Sequence, residues 1–331
     1  MYSWSGLRFL LLIALVCCIL PFVAALSDGH PVIYSIVHFS DTQNLATSYP
    51  DTYNLTFSYL DSIKGPYNIT AIIITGDLVN TWNSRKEWDT YSRARNHTTI
   101  PVYTIAGNHD ADYGKNYEQY SLYTGEPEAN YMSSVGDFDF MGINYADRTL
   151  PTDEFSRFRV NLTGSSRSFA IIATHYYMDE DGKLSPLGRD IDKNLIVKPS
   201  LVLMGHIHAD FIKERTVGGF PLIADMTNYQ DGVPGGITGS DYSAGTLYTV
   251  TSVNGQVETI TARIMHIYPA PSFEEEKTVF SRNPEAPSPA DTIIMSGTPA
   301  SSASMCSTGD LFCMLDEIFQ QCRTTLRFVF S

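Results

Sequence analysis

The sequence predicts an α/β fold in which two packed mixed sheets are flanked by helices, a four-layer α/β sandwich. Three observations carry that expectation. Between about residues 32 and 266, short apolar runs alternate with segments of helical periodicity. Those runs are continuously apolar rather than alternating, the pattern of strands covered on both faces. From Gly218 onward the pattern changes to paired β-runs, which supply a second sheet to pack on the first.

Taken in order, "VIYSIVHFSD" from Val32 to Asp41 is a strand that stops at polar residues. "YPDTYNLTFSYLDSI" places Tyr53, Phe57 and Leu60 at helical spacing. "AIIITGD" is a buried strand ending at Asp77, and "SRKEWDTYSRAR" is helical. "IPVYTIAGNHD" is a strand that ends at Asn108, His109 and Asp110. "SFAIIATHYY" and "SLVLMGHIH" repeat the design, ending at His175 and at His206 and His208. "FPLIADMTN" and "AGTLYTVTSVNGQVETITARIMHI" read as hairpins, with Asn254-Gly255 as a tight turn. Five strands therefore end in polar clusters at their C-terminal edge, where open α/β sheets place ligands.

The flanks read differently. Arg8 precedes an apolar run to Ala25 with small residues at Val23 and Ala25, so residues 1–25 read as a signal peptide or, uncleaved, a signal anchor. Export to the extracellular space or cell surface follows, with membrane association through this segment if it is retained. A catalytic-type domain is expected over 32–268, a Pro/Ser-rich linker over 269–305, and a Cys-containing amphipathic tail over 306–331. Cys17 and Cys18 lie in the apolar run, and Cys306, Cys313 and Cys322 in the tail, so the domain offers no thiolate ligand. Any metal there must use oxygen and nitrogen donors. With a net charge of −14 and no basic patch, nucleic-acid binding is not expected. An aromatic content of 12% against 18% charged residues is a core-forming composition.

Asp41, Gln43, Asp77, Asn108, His175, His206 and His208 supply carboxylate, amide and imidazole groups from successive strand ends. Such a mixed set suits Mn, Fe, Zn or Co. In "GHIH" an extended backbone sends both histidines to the same side. The ordered series "SDTQ", "GDLVN", "GNHD", "THYY" and "GHIH" resembles the calcineurin-like metallophosphoesterase superfamily over about residues 32–266. The resemblance implies a centre of two divalent metal ions that hydrolyses small-molecule phosphate mono- or diesters by attack of a metal-bridging hydroxide. It implies Asp41, Gln43 and His208 at the first metal, Asp77 between the two, and Asn108, His175 and His206 at the second. His109 would assist the leaving group without ligating, supported by Asn80 and Asp110.

Two positions depart from that pattern. Gln43 stands where the family usually carries histidine, and its amide oxygen holds zinc more weakly than imidazole does. A labile first metal, or a preference for Mn or Fe, is expected. Asn80 stands where phosphatases reading Gly-Asp-x-x-Asp have an aspartate; its side-chain carbonyl would orient His109 and leave it a weaker acid. Both departures also suit a rival reading, a catalytically weak or inactive surface binding module that retains the fold and a structural metal. Tyr176, Tyr177 and Tyr229, in loops that follow strand ends, are candidate substrate contacts. His38 reads as a packed core histidine within reach of the pocket.

Overall fold

The structure, a computed structural model, describes residues 29–127, 130–144, 151–207, 211–227, 229, 245–267 and 271–283. Among them, one mixed sheet holds β1 (Val32–Phe39), β2 (Ile69–Ile74), β3 (Val102–Thr104), β10 (Gly245–Val253), β11 (Gln256–His266), β12 (Ser272–Phe273) and β13 (Lys277–Ser281). The other holds β4 (Tyr131–Val135), β5 (Phe138–Ile143), β6 (Phe169–Thr174), β7 (Ser200–Met204), β8 (Phe211–Val217) and β9 (Phe220–Met226). In the first, β1, β2 and β3 run parallel, and β10 pairs antiparallel with β1. In the second, β5, β6, β7 and β9 run parallel between antiparallel edges β4 and β8.

Alternation along β1 decides which layer each side chain enters. Val37 and Phe39 face the helices, and Tyr34 and Ile36 face the other sheet. The outer layer is built by α1 (Gln43–Ser48), α2 (Pro50–Tyr67), α3 (Arg85–Arg95) and α4 (Glu118–Thr124). Tyr53, Phe57 and Leu60, the positions expected from periodicity, are all fully buried with Trp88 and Tyr91 of α3. Each such side chain contributes about 1.5–3 kcal/mol by leaving water. Between the sheets, Ile36, Ile73, Phe138, Phe140, Ile171 and Leu203 interdigitate. On the far side, α5 (Thr152–Gly164) and α6 (Pro186–Asn194) cover the second sheet through Phe155, Phe158, Leu187 and Ile191. Helix, sheet, sheet and helix make the four expected layers, but the runs after Gly218 do not form the second sheet by themselves: β10 and β11 extend the first, and β5, β6 and β7 are the body of the second, which β9 joins.

Two boundaries differ from expectation. The segment 269–305, read as linker, contains β12 and β13, both antiparallel to β11. Their alternating short pattern is masked in sequence by flanking Pro, Ser and Glu, but β11 runs for 11 residues and offers an edge to be covered. The helix α6 begins at Pro186, closing early the loop that the sequence places around Tyr176 and Tyr177; Ser185 caps it by accepting from the Gly188 N–H at 2.9 Å. The turn Asn254-Gly255 has φ of 53° and 73°, as a tight hairpin requires. The N-terminal apolar run and the Cys-containing tail lie outside the described residues. Among the described residues, no helix is long and apolar enough to cross a membrane.

His38 is buried between the sheets. One ring nitrogen meets Asp225 of β9 at 2.6 Å and the other meets the Thr75 hydroxyl at 2.9 Å. It is the packed histidine the sequence suggested, and it ties β1 to the opposite sheet.

Candidate metal centre

β1, β2 and β3 deliver Asp41, Asp77 and Asn108 just past their C-terminal ends, and β6 and β7 deliver His175 and His206. The site therefore straddles the seam between the two sheets. Asp41, Asp77 and His175 are buried and present one ligand atom each, all within 4.8 Å of one another. A second group converges beside them. Asn108 Oδ1 lies 3.0 Å from His175 Nε2 and 3.0 Å from His206 Nδ1, and those two nitrogens are 3.3 Å apart. His175 belongs to both groups, its Nε2 also lying 3.3 Å from Asp77 Oδ2.

The backbone is bent to make this convergence. Asp41, Asp77 and His206 all adopt left-handed conformations, with φ of 57°, 53° and 77°. Such conformations cost of order 1–3 kcal/mol each in a non-glycine residue and persist where surroundings enforce them. Here the enforcing bonds are visible. The Asp41 N–H donates to the Gly76 carbonyl at 3.0 Å, and the His206 N–H donates to the Asp41 carboxylate at 3.0 and 3.2 Å. Two motif glycines are needed for close approach. A Cβ on Gly107 would collide with Asp77, and one on Gly205 would collide with Ser40 and the Asp41 carboxylate.

Protonation follows from burial and proximity. His175 Nδ1 donates to the Thr75 carbonyl at 2.7 Å, which presents Nε2 to the cluster. Burial alone would lower the His175 pKa, but the Asp77 and Asp41 carboxylates outweigh it and push it up to about 9. Burial raises Asp41 to about 6. Burial would raise Asp77 too, yet the neighbouring His175 holds it below the usual carboxylate range. A cation entering this cluster must displace the His175 proton.

Gln43 opens α1 and is buried, and its Oε1 has no hydrogen-bond partner among the described residues. A buried amide oxygen left unbonded is costly, about 1–3 kcal/mol, and here it stands two residues from Asp41. Two carboxylates, two amide oxygens and two imidazoles form a donor set that suits divalent cations of the Mn, Fe, Zn and Co type. These residues fit such ions. His208, expected at the first metal, lies outside the described residues.

Around the cluster, Asp110 is the main support. Its carboxylate accepts from the N–H groups of Leu78 at 2.8 Å, Val79 at 3.1 Å and Gly107 at 2.8 Å, stitching the loop after β2 to the loop after β3. Burial, with Asp77 nearby, pushes Asp110 up to about 7. His109 sits at the rim, and its own N–H donates to Asp77 Oδ1 at 2.9 Å. Its ring Nδ1 bonds the Asn80 backbone carbonyl at 2.8 Å. That corrects the expectation for Asn80: the acceptor is the main chain, so the change from a carboxylate side chain does not remove the contact.

The three tyrosines separate. Tyr177 is fully buried, bonded to Asp192 and Arg215, with its pKa raised by burial. Tyr229 is buried against Phe39, its hydroxyl 2.6 Å from that of Thr56 and its pKa pushed up by burial to about 12. Neither can touch a substrate, because packing has absorbed both rings. Tyr176 alone stays at the rim, its ring 4.7 Å from that of His206. Sequence reasoning missed Tyr113, an exposed ring 6.3 Å from His109, on a left-handed turn of Asp112, Tyr113 and Gly114. The cue was present in the Asp-Tyr-Gly that follows "GNHD".

Comparison with known proteins agrees with this architecture. A purple acid phosphatase, PPD1, from yellow lupin (Lupinus luteus) seeds superposes with a TM-score of 0.55 at 14% identity, covering 76% of this chain and 54% of that one. A dimetal phosphatase from Danio rerio superposes with a TM-score of 0.52 at 13% identity, covering 76% of this chain and 100% of that one. At such identities the likeness concerns the fold. In sequence, the chain is 27% identical over 234 residues to the uncharacterized protein YvnB of Bacillus subtilis (strain 168). That match covers 62% of this chain and only 18% of YvnB. The family model described as calcineurin-like phosphoesterase matches residues 34–210, more than half of the chain, from within β1 through the sequence "GHIH". The chain belongs to the calcineurin-like phosphoesterase family.

Proposed function

We propose that this protein is an exported hydrolase of small-molecule phosphate mono- or diesters that works with two divalent cations. The observation that carries the reading is the buried convergence of Asp41, Asp77 and His175 within 4.8 Å. The Gln43 oxygen, two residues along from Asp41 and without a partner among the described residues, supports the same reading. Asp41, Gln43 and Asp77 would hold one ion, and Asp77, Asn108, His175 and His206 the other, with His208 completing the first set. When bound, the cations supply Lewis acidity toward the phosphoryl oxygens and toward the attacking water.

The chain's own residues do the rest. Asp110 fixes the loops that carry Asp77 and Asn108, so the donors need not reorganise on binding. His109, with its Nδ1 proton given to the Asn80 carbonyl, has Nε2 left to exchange a proton with the leaving group. The rival of an inert binding module leaned on Gln43 and Asn80; the bond that the Asn80 main-chain carbonyl keeps to His109 supports the enzymatic reading over it. Export rests on the apolar run ending at Ala25.

The test compares p-nitrophenyl phosphate with bis-p-nitrophenyl phosphate on the full-length chain loaded with Mn, Co or Zn. Turnover is expected for at least one ester, and Asp77→Asn is expected to lower kcat/KM by at least about a hundredfold, about 2.7 kcal/mol. Stoichiometric cation binding without turnover of either ester would establish the inert module instead.

A further inference from the structure

Ser84 and Glu87 have the spacing of a capping box, in which Glu87 would reach back to the Ser84 N–H. The structure uses Glu87 differently. The Ser84 N–H donates to the Thr81 carbonyl at 2.9 Å, and Ser84 makes no side-chain cap. Glu87 Oε2 instead accepts from the backbone N–H groups of Asn80 at 2.8 Å and Thr81 at 3.0 Å.

The Asn80 carbonyl and the Thr81 N–H are two ends of one planar peptide group. Its N–H end meets the Glu87 carboxylate, and its C=O end meets His109 Nδ1 at 2.8 Å. A carbonyl only accepts, so Nδ1 carries the proton. The chain of contacts is therefore imidazole N–H to peptide C=O, then peptide N–H to carboxylate. Hydrogen bonds in series polarise one another, and the one to the ionised group is the stronger. Neighbouring packing holds the loop as well: Trp88, buried one residue beyond Glu87, donates Nε1–H to the Trp82 carbonyl at 2.7 Å.

We propose that Glu87 is a positioning residue for His109, acting through the Asn80–Thr81 peptide to hold the imidazole in its Nδ1–H tautomer and leave Nε2 to the reaction. The consequence for turnover rests on the phosphoesterase reading above; the hold on the imidazole does not.

Two arms on the metal-loaded, full-length chain test it. In the first, histidine ring nitrogens are labelled with ¹⁵N, and His109 is assigned as the signal absent from His109→Asn. At one fixed neutral pH, wild type is expected to show the Nδ1–H tautomer alone and Glu87→Ala a mixture. In the second, phenyl phosphate is compared with p-nitrophenyl phosphate. Glu87→Ala is expected to lose about tenfold or more in kcat on phenyl phosphate, the poorer leaving group, and much less on p-nitrophenyl phosphate, with KM unchanged. Glu87→Gln keeps a neutral acceptor at the same reach and should fall between in both arms, which decides the matter if the alanine variant does not fold. A wild-type tautomer and an unchanged ratio between the two esters in these variants would reduce Glu87 to a loop staple. If wild type hydrolyses neither ester, the functional reading fails while the nitrogen spectra still decide the role of Glu87.

Discussion

At the scale of single residues, Gln43 is the proposed ligand that stands where the family usually carries histidine. Its buried Oε1, without a hydrogen-bond partner among the described residues, would be satisfied by an ion. Gln43→Ala is expected to weaken cation binding by about tenfold or more, about 1.4 kcal/mol, measured by calorimetric titration with Mn. Gln43→His should shift preference toward Zn, because imidazole is the better donor for that ion. Alanine binding Mn as tightly as glutamine would remove Gln43 from the ligand set. The convergence of these side chains was legible in the sequence: "GNHD" and "GHIH" name Asn108, His109 and His206 because glycine marks where the chain must pass close to its neighbours, here Asp77 and Asp41. What was not legible is which atom of a residue acts. Asn80 was read by its side chain, yet its carbonyl makes the contact, and no property of an amide side chain announces a main-chain acceptor. Tyr177 and Tyr229 failed as rim residues because loop position alone does not reveal that a ring folds back into the core.

Between elements, the described molecule is held in register by carboxylates that accept backbone N–H groups across gaps. Asp61 of α2 is one: it accepts from the Thr99 N–H at 2.8 Å and from the Thr98 and Thr99 hydroxyls, tying the helix to the turn that leads into β3. That backbone bond, with Lys64 adding to it, lowers its pKa from 3.8 to about 2. The folded state thus favours the ionised form. The contribution is fully present above about pH 4 and disappears as pH falls through about 2. Urea denaturation of Asp61→Asn against wild type should show the variant less stable at neutral pH, with the gap closing on acidification across that window. A gap independent of pH would mean that the charge contributes nothing. The long helices and central strands were legible because Tyr53, Phe57 and Leu60, or an unbroken "AIIIT", repeat one clear period. β12 and β13 were not, since strands of 2 and 5 residues carry too little pattern to stand out from their Pro- and Glu-rich surroundings.

At the level of the whole molecule, the proposed cation donors come from both sheets, so loading would join two layers that already meet through apolar packing, the His38–Asp225 pair and hydrogen bonds such as that of the Tyr131 hydroxyl to the Thr104 carbonyl. Mn at about a hundred times its dissociation constant should stabilise the fold by about 2.7 kcal/mol, which in a domain of this size raises Tm by roughly 5 °C or more. Scanning calorimetry with and without chelator measures it, and Asp77→Asn should abolish the shift; an equal shift in that variant would place the cation elsewhere. One feature of the first sheet reaches beyond the mature fold. β1 lies between β2 and β10, and its partner on one side, residues 245–253, is made more than two hundred positions later in synthesis. Until the ribosome has delivered that segment, the strand leading to Asp41 exposes a bare row of peptide groups able to recruit other chains. The nascent polypeptide therefore spends most of its translation with its first strand half-clothed, and slowing elongation ahead of codon 245 should increase aggregation more than slowing it afterwards.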